Sequence, residues 1–517
     1  MSTEGKTATP RSTSLDRAAR GSVLNLAGSG VAAIATLLTT VAVTRLTSQA
    51  EAGVFFVATS FFLLASALGQ LGTNTGLVYF LSGSRARGEL DKAAGYMRLA
   101  SRPVLVVAVL MAIVVAAAAQ PLGEVFSAER SEEFARHVRV MAIFIPCAAV
   151  LYLALAGTRG LGTMKVNASV DQMARPLLQL GFVAVGIMVI GPEAAPGAWA
   201  AAYLPLAIGG WWWWRRLSTR SAPQATSSRL REARPFWAFT APRALAGLAQ
   251  VAMQRLDIIL VGSLAGLSAA AIYAAATRFL LLGQMAARAV SLSAQPLLGE
   301  ALARGDRSDA QQLYQASTAW LVLVAWPLYL VLIVFGSEVL TVFGPGYSAG
   351  DTALLILCSA MLVATSCGMV DMVLTMAGKS LWNLGNVLLA FVVNLGLDLL
   401  LIPQIGILGA AIGWASAIVA ANLVPLTQIA LAFKLHPFGG ATLVSMTLAA
   451  GCFAGIPLVV DALVDTRTIA ISVGLGIAVL LYLAMLFLLR RFLALDVLAK
   501  ALRRRRKGRQ ANAGAGR

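Results

Sequence analysis

The residues best equipped for chemistry in this chain lie where charge is most costly. Arg243, Arg255 and Asp257 interrupt an apolar run over 236–264, and Arg278 and Arg288 interrupt the next, over 267–298. An ionisable side chain inside a bilayer costs a few kcal/mol even on lenient insertion scales, so it must face a wet cavity or a partner. At about 1.5 Å of rise per residue from the turn near Gly266, Arg255 sits about 16 Å deep, Asp257 about 14 Å and Arg278 about 18 Å. An ion pair between Asp257 and Arg278 is therefore sterically reasonable, either as a structural tie or as part of a site. Arg243 and Arg288 read either as snorkelling side chains or as cavity walls. A wet space rich in guanidinium and poor in carboxylate suits an anion, because the guanidinium fork grips phosphate bidentately.

Further polar residues dot other apolar runs. Asn25, Gln70, Asn74, Asn383, Asn386 and Asn394 could line a cavity and bind sugar hydroxyls, or join helices through hydrogen bonds. Asp371 and Asp398 fall near opposite ends of their runs, within reach of water, and Asp371 has Lys379 nearby for a local pair. Coupling to Na+ or H+ through these carboxylates is left open. Cys147, Cys358, Cys367 and Cys452 read as small core side chains, and His137 and His436 stand alone, so no metal site and no cofactor is expected. No GxxxxGK[ST] phosphate loop is present, and the longest segment on the outer side, near 120–138, carries no catalytic constellation. An enzyme is not expected.

The elements that must position these residues follow from composition. The chain has 517 residues, 58% of them hydrophobic and only 12% charged, with a mean hydropathy of +0.78. Soluble domains run at roughly 45–50% apolar. An all-α polytopic membrane protein with about 14 transmembrane helices is expected. Lys and Arg gather in alternate connections, and the other side keeps only Arg45, Arg130, Arg136, Arg139 and Arg467. The positive-inside rule then puts both termini in the cytoplasm. It also accounts for the net charge of +18 without nucleic acid, leaving anionic lipid headgroups as partners for runs such as Arg503–Arg506. Trp211–Trp214 before Arg215 and Arg216 reads as an interfacial anchor.

Short echoes recur in helix order. Arg85-Ala-Arg87-Gly88 after the second span matches Leu302-Ala-Arg304-Gly305 after the eighth, Gly123-Glu124-Val125 matches Ser337-Glu338-Val339, Thr163-Met164-Lys165 matches Ala377-Gly378-Lys379, and Gly197-Ala-Trp matches Gly409-Ala-Ala. A shift of six spans preserves membrane orientation. Two parallel six-helix repeats and a C-terminal helix pair are expected, with a substrate site between the halves, as in transporters. The boundaries are a basic N-terminus over 1–20, a first lobe over 21–215, a basic loop over 216–235, a second lobe over 236–434, two helices over 435–490 and a basic tail over 491–517.

Several stretches carry a family resemblance. Asn394-Leu-Gly-Leu-Asp398-Leu-Leu-Leu-Ile-Pro403, with Pro403 read as ending its helix, is followed by Gly406-Ile-Leu-Gly409-Ala-Ala-Ile-Gly413. Gln254-Arg255-Leu-Asp257-Ile-Ile-Leu-Val-Gly262 precedes Gly266-Leu-Ser-Ala-Ala-Ala-Ile-Tyr273, while Thr44-Arg45-Leu and Ala52-Gly53-Val54-Phe55 stand near the start. Together they resemble the polysaccharide-biosynthesis flippases, which move lipid-linked sugars and share a superfamily with the multidrug and toxin extrusion transporters. The resemblance implies a V-shaped pair of lobes with the first, second, seventh and eighth helices lining a central cavity. It further implies an exporter of the bacterial cytoplasmic membrane that flips a polyprenyl-(pyro)phosphate-linked glycan, with contacts to a polymerase or glycosyltransferases left open. A peptidoglycan-precursor flippase, a drug/cation antiporter and a non-transporting scaffold of polymer assembly are the rival readings. The candidate cavity residues are Arg243, Arg255, Asp257, Arg278, Arg288, Asn25 and Asn74.

Overall fold

A computed structural model describes residues 10–89, 92–126, 130–218, 229–464, 466–490 and 492–493. The first nine residues, the segment 219–228 inside the basic loop, and the basic tail apart from 492–493 lie outside these. The described chain is helical throughout, and thirteen of its helical stretches are long and apolar enough to cross a membrane. The expected span over 197–214 is not among these; it is divided into α8 (Ala195–Ala201) and α9 (Tyr203–Ser218), which ends on Arg215, Arg216, Leu217 and Ser218. Side chains such as Val189, Leu431 and Leu463 are more than three-quarters exposed, the outward face expected of helices whose solvent is lipid. In the aromatic run Trp212 and Trp213 are exposed, whereas Trp214 is buried.

The first half contains α1 (Pro10–Leu46), α2 (Gln49–Gly69), α3 (Thr73–Ala86), α4 (Ala93–Phe126), α5 (Ser131–Ala142), α6 (Ile145–Gly160) and α7 (Arg175–Val189), followed by α8 and α9. Then come α10 (Arg229–Leu264), α11 (Leu267–Ala303), α12 (Arg307–Val334), α13 (Gly336–Leu340), α14 (Asp351–Ser366), α15 (Val370–Met376), α16 (Ser380–Ile405) and α17 (Ile407–Phe433). The chain closes with α18 (Gly440–Ala450), α19 (Ile456–Leu463) and α20 (Arg467–Leu488).

Several expected single spans are broken. The second divides into α2 and α3 where Leu71 and Gly72 adopt positive φ, and the tenth into α14 and α15 at Gly368, with φ of 72°. The fifth begins with a π-helical turn, Asn167–Ala174, that leads straight into α7. Arg175 therefore lies inside a spanning element. Pro403 does not end its helix either. It is accommodated inside α16, which runs on to Ile405, and the turn is made by Gly406 at φ 58°.

Helix α2 is the shared wall between the halves, packing on α4 and α6 on one side and on α10 and α11 on the other. Small residues allow this. A Cβ on Gly53 would lie 2.0 Å from the Leu267 carbonyl oxygen, and one on Gly262 would lie 2.7 Å from Val57. Further along, Gly72 and Gly76 abut Thr240, and Tyr79 stacks on Phe239 with ring centroids 4.1 Å apart. The closing helices are stitched to α12. Arg307, Gln311 and Gln315, spaced one turn apart, donate to the carbonyls of Lys434, His436 and Phe438 at 2.8, 2.7 and 3.3 Å. At the other end of α12, Arg467 pairs with Glu338 and, at 3.0 Å, with Asp461.

Because Gly53 meets backbone, which cannot move aside as a side chain can, Gly53→Ala should cost about 1–3 kcal/mol. Thermal unfolding in detergent should register a clear loss for Gly53→Ala and almost none for Gly95→Ala, where the added Cβ meets nothing within 4 Å.

Candidate functional site

Two adjoining cavities share Gln284 on α11. The larger, about 590 Å³, is walled by Gln284, Arg288 and Ser291 of α11, Asp371 of α15 and Asn422 of α17, with Met361, Met369 and Met372 as its apolar side. The first half contributes Ser29 of α1 and Gln172 of the π-helical turn. The smaller, about 90 Å³, is lined by Arg255 and Asp257 of α10, Tyr273, Thr277 and Arg278 of α11, and Trp414 of α17. Counted along α11 from Gly266, Arg288 lies about 33 Å away, so the larger cavity sits towards the face carrying the basic connections.

The ion pair expected between Asp257 and Arg278 does not form. Asp257 accepts from the Tyr273 hydroxyl at 3.1 Å and faces Asp398 and Asn394 of α16, and Asn394 donates to Asp398 at 2.8 Å. Asp398 is thus buried rather than near water, because the backbone of α17 comes so close at Gly413 that a Cβ there would lie 2.2 Å from its carboxylate. One oxygen of each aspartate is buried without a hydrogen-bond partner. Two facing carboxylates with spare acceptors repel unless a cation or a shared proton lies between them.

Turned away from Asp257, the Arg278 guanidinium rests 5.3 Å above the Phe56 ring of α2, and its Nε is buried without a partner. Arg255 is within electrostatic reach of Arg278. No ion pair to a carboxylate forms at either arginine among the described residues. Arg243 enters neither cavity; its guanidinium lies 3.5 Å from the Phe239 ring centroid and donates to the Phe239 carbonyl. Arg288 does line the larger cavity.

The amides divide. Asn74 is a strut, bonded to Gln70 and receiving Arg159 at 3.2 Å. Asn386 and Gln428 exchange two hydrogen bonds between α16 and α17. The side chain of Asn25 lies outside the described residues. Lys379 sits over the Trp382 ring, 5.1 Å from its centroid, and forms no ion pair with Asp371. Gln172, Gln284, Ser291 and Asn422 were missed by the sequence reading, since a lone amide or hydroxyl in an apolar run carries no directional signal. The pairing of Asp257 with Asp398 could have been suspected, as both are carboxylates deep in spans with no basic residue one turn away.

The face opposite the larger cavity is latched. Arg45 and Gln49, at the turn between α1 and α2, reach across to the loop after α13. Arg45 donates to the carbonyls of Thr341 and Val342 at 2.6 and 2.8 Å, and Gln49 to that of Pro345 at 3.1 Å.

A family model described as polysaccharide biosynthesis protein matches residues 18–301, more than half of the chain. The chain belongs to the polysaccharide biosynthesis protein family. A second model, MatE, matches 242–400. The family lies within an exporter superfamily, so this is a multi-pass membrane transporter and not an enzyme. None of the curated proteins compared with it matches. Among solved structures, the lipid II flippase MurJ in an inward closed conformation superposes with a TM-score of 0.72 at 12% identity, covering 91% of this chain and 99% of that one. An inward-facing multidrug resistance MATE transporter gives 0.61 at 15% identity, covering 80% and 98%. A superfamily transporter from Pyrococcus furiosus gives 0.54 at 15%, covering 83% and 99%. At these identities the likeness is one of fold.

A cysteine pair at Gln49 and Pro345, in a background without the four native cysteines, should cross-link readily. Adding Arg45→Ala removes two charge-assisted hydrogen bonds and should lower the yield at least about twofold.

Proposed function

We propose that this family member flips a lipid-(pyro)phosphate-linked oligosaccharide between leaflets of a bacterial cytoplasmic membrane, for a surface polysaccharide. The observation that carries the reading is the pair Arg255 and Arg278, two guanidinium groups lining a cavity deep in the protein with no carboxylate partner. A buried charge left uncompensated costs several kcal/mol, and a phosphate anion compensates both at once. The larger cavity next to them, with its amides, hydroxyls and Arg288, has the size and polarity to take sugar residues. A prenyl chain would remain in lipid.

By the positive-inside rule the basic face is cytoplasmic. On this reading the carrier is latched on its outer face by Arg45 and Gln49, with the cavity towards the cytoplasm where the glycan would be assembled. Alternating access requires that latch to open. Asp257 and Tyr273 line the same small cavity as the two arginines, while the Asp257 carboxylate turns to Tyr273 and towards Asp398 and Asn394. The two facing carboxylates are suited to one Na+ or H+ whose entry neutralises them.

Loss of the gene should leave lipid-linked glycan on the inner leaflet, with the surface polymer missing. General lysis on depletion would instead indicate a peptidoglycan precursor as cargo. Arg255→Gln with Arg278→Gln should abolish complementation while the protein still inserts; full complementation would refute the anion site. In proteoliposomes, Asp398→Asn should remove dependence of flux on a Na+ or H+ gradient, and an unchanged dependence would refute the coupling role. Absence of flux in the intact protein would favour a scaffold.

A further inference from the structure

The larger cavity holds two charges of opposite sign that do not neutralise each other. Among the described residues lining it, Arg288 of α11 and Asp371 of α15 are the ionisable ones. Both side chains are exposed, and neither enters an ion pair among the described residues. The Thr375 hydroxyl donates to the backbone carbonyl of Asp371 at 2.7 Å, not to its carboxylate. The break in the tenth span sets this up. Gly368 and Met369, between α14 and α15, are themselves cavity wall, and the Tyr314 hydroxyl of α12 holds the turn by donating to the Cys367 carbonyl at 2.6 Å. A Cβ on Gly368 would run into the Thr318 hydroxyl, so the turn has little freedom. Beside Asp371, the Met372 sulfur takes the Ser291 hydroxyl at 3.6 Å, which packs α15 against the α11 face that carries Arg288 one turn earlier. Both charges therefore stay available to a ligand in the space between.

The wall on the side of Asp371 leans towards accepting hydrogen bonds. An ionised carboxylate accepts and cannot donate. The Asn422 amide nitrogen is engaged with the Ile418 carbonyl at 2.8 Å, which leaves its oxygen. The Thr365 hydroxyl already donates to the Met361 carbonyl at 2.7 Å and receives the Trp326 indole N–H at 3.0 Å. Donors come from the opposite side, where Arg288 presents its guanidinium fork. Between them the methionines supply a soft apolar surface that adapts to a C–H face. A pyranose ring has matching parts: hydroxyl donors, ring and substituent oxygens, and an apolar face.

We propose that the larger cavity selects an uncharged sugar as the unit next to the lipid (pyro)phosphate, with Asp371 accepting from its hydroxyls and Arg288 donating to its oxygens. This rests on the reading that the cargo is a lipid-linked glycan. Gln284 borders both cavities, so a cargo lying along α11 from Arg278 meets Gln284 about 9 Å on and Ser291 about 20 Å on. The sugar that follows the phosphate is therefore the one placed between the two charges. An uncharged sugar gains from both. A uronic acid gains at Arg288, loses at Asp371 and gives up the hydration of its own charge, so it is discriminated against by an unfavourable contact as well as by a missing favourable one. The opposite signs of the two residues make their removal act in opposite directions.

The test is binding by the full-length protein in nanodiscs, followed by tryptophan fluorescence, of three probes: polyprenyl pyrophosphate alone, the same lipid bearing one glucose, and the same lipid bearing one glucuronic acid. The unaltered protein should bind the glucose lipid about tenfold or more tighter than the glucuronate lipid. Asp371→Asn should shift that ratio about tenfold towards glucuronate, and Asp371→Glu, which keeps the charge, should leave most of the preference. Arg288→Gln should shift the ratio the other way, and it keeps the proposal open to refutation if Asp371→Asn does not fold. A purely structural role for Asp371 would change both sugar lipids in parallel and leave their ratio intact, which overturns the proposal. Equal affinity for the two sugar lipids, or a preference for glucuronate, in the unaltered protein also overturns it. Binding of none of the three probes would instead bring down the flippase reading itself.

Discussion

The cost of keeping charge out of water governs this molecule. Every ionisable group in the spans must be neutralised by a neighbour, by a cavity or by something brought in from outside. Asp171 and Arg175 neutralise each other, Arg243 escapes by lying against an aromatic ring and a carbonyl, and Asp257 and Asp398 are left sharing a deficit of positive charge. Arg255 and Arg278 are left with the reverse. The residual imbalance leaves guanidinium and carboxylate groups that line one small cavity yet face different ways, neither compensating the other.

Glycine makes that separation feasible. Asp398 can be buried against α17 only because Gly413 leaves room for its carboxylate, and the two halves can share α2 as a wall only because Gly53 lets α11 approach to backbone contact. Close helix approach in a membrane relies on such small residues, since burial among lipid-like side chains supplies little driving force. The same contacts that set the packing thus set the electrostatics.

Much of the architecture was legible in the sequence. Long apolar runs, their spacing and the motifs around Asp257 and Asp398 specified a helical exporter fold, and Arg255 and Arg278 stood out as charges in the wrong solvent. Partner choice was not legible. At 1.5 Å per residue, Asp257 and Arg278 match in depth, but depth says nothing about which way a side chain faces, and the aspartate turned to a span more than 130 residues further on. The break at Gly368 was hidden because it leaves the run apolar, and the π-helical turn was hidden for the opposite reason: its polar sequence from Asn167 to Gln172 reads as a connection, although the helix already runs through it into Arg175.

The closing helices α18 to α20 are held to α12 and to the short α13 that follows it, by the ladder from Arg307 to Gln315 onto the segment leading into α18, by the Tyr482 hydroxyl on the Leu323 carbonyl and by Arg467 on Glu338. They therefore belong mechanically to the second half. Any displacement of α12 must carry α18 to α20 with it, so a hinge within the chain cannot fall between α12 and the closing helices without breaking these contacts.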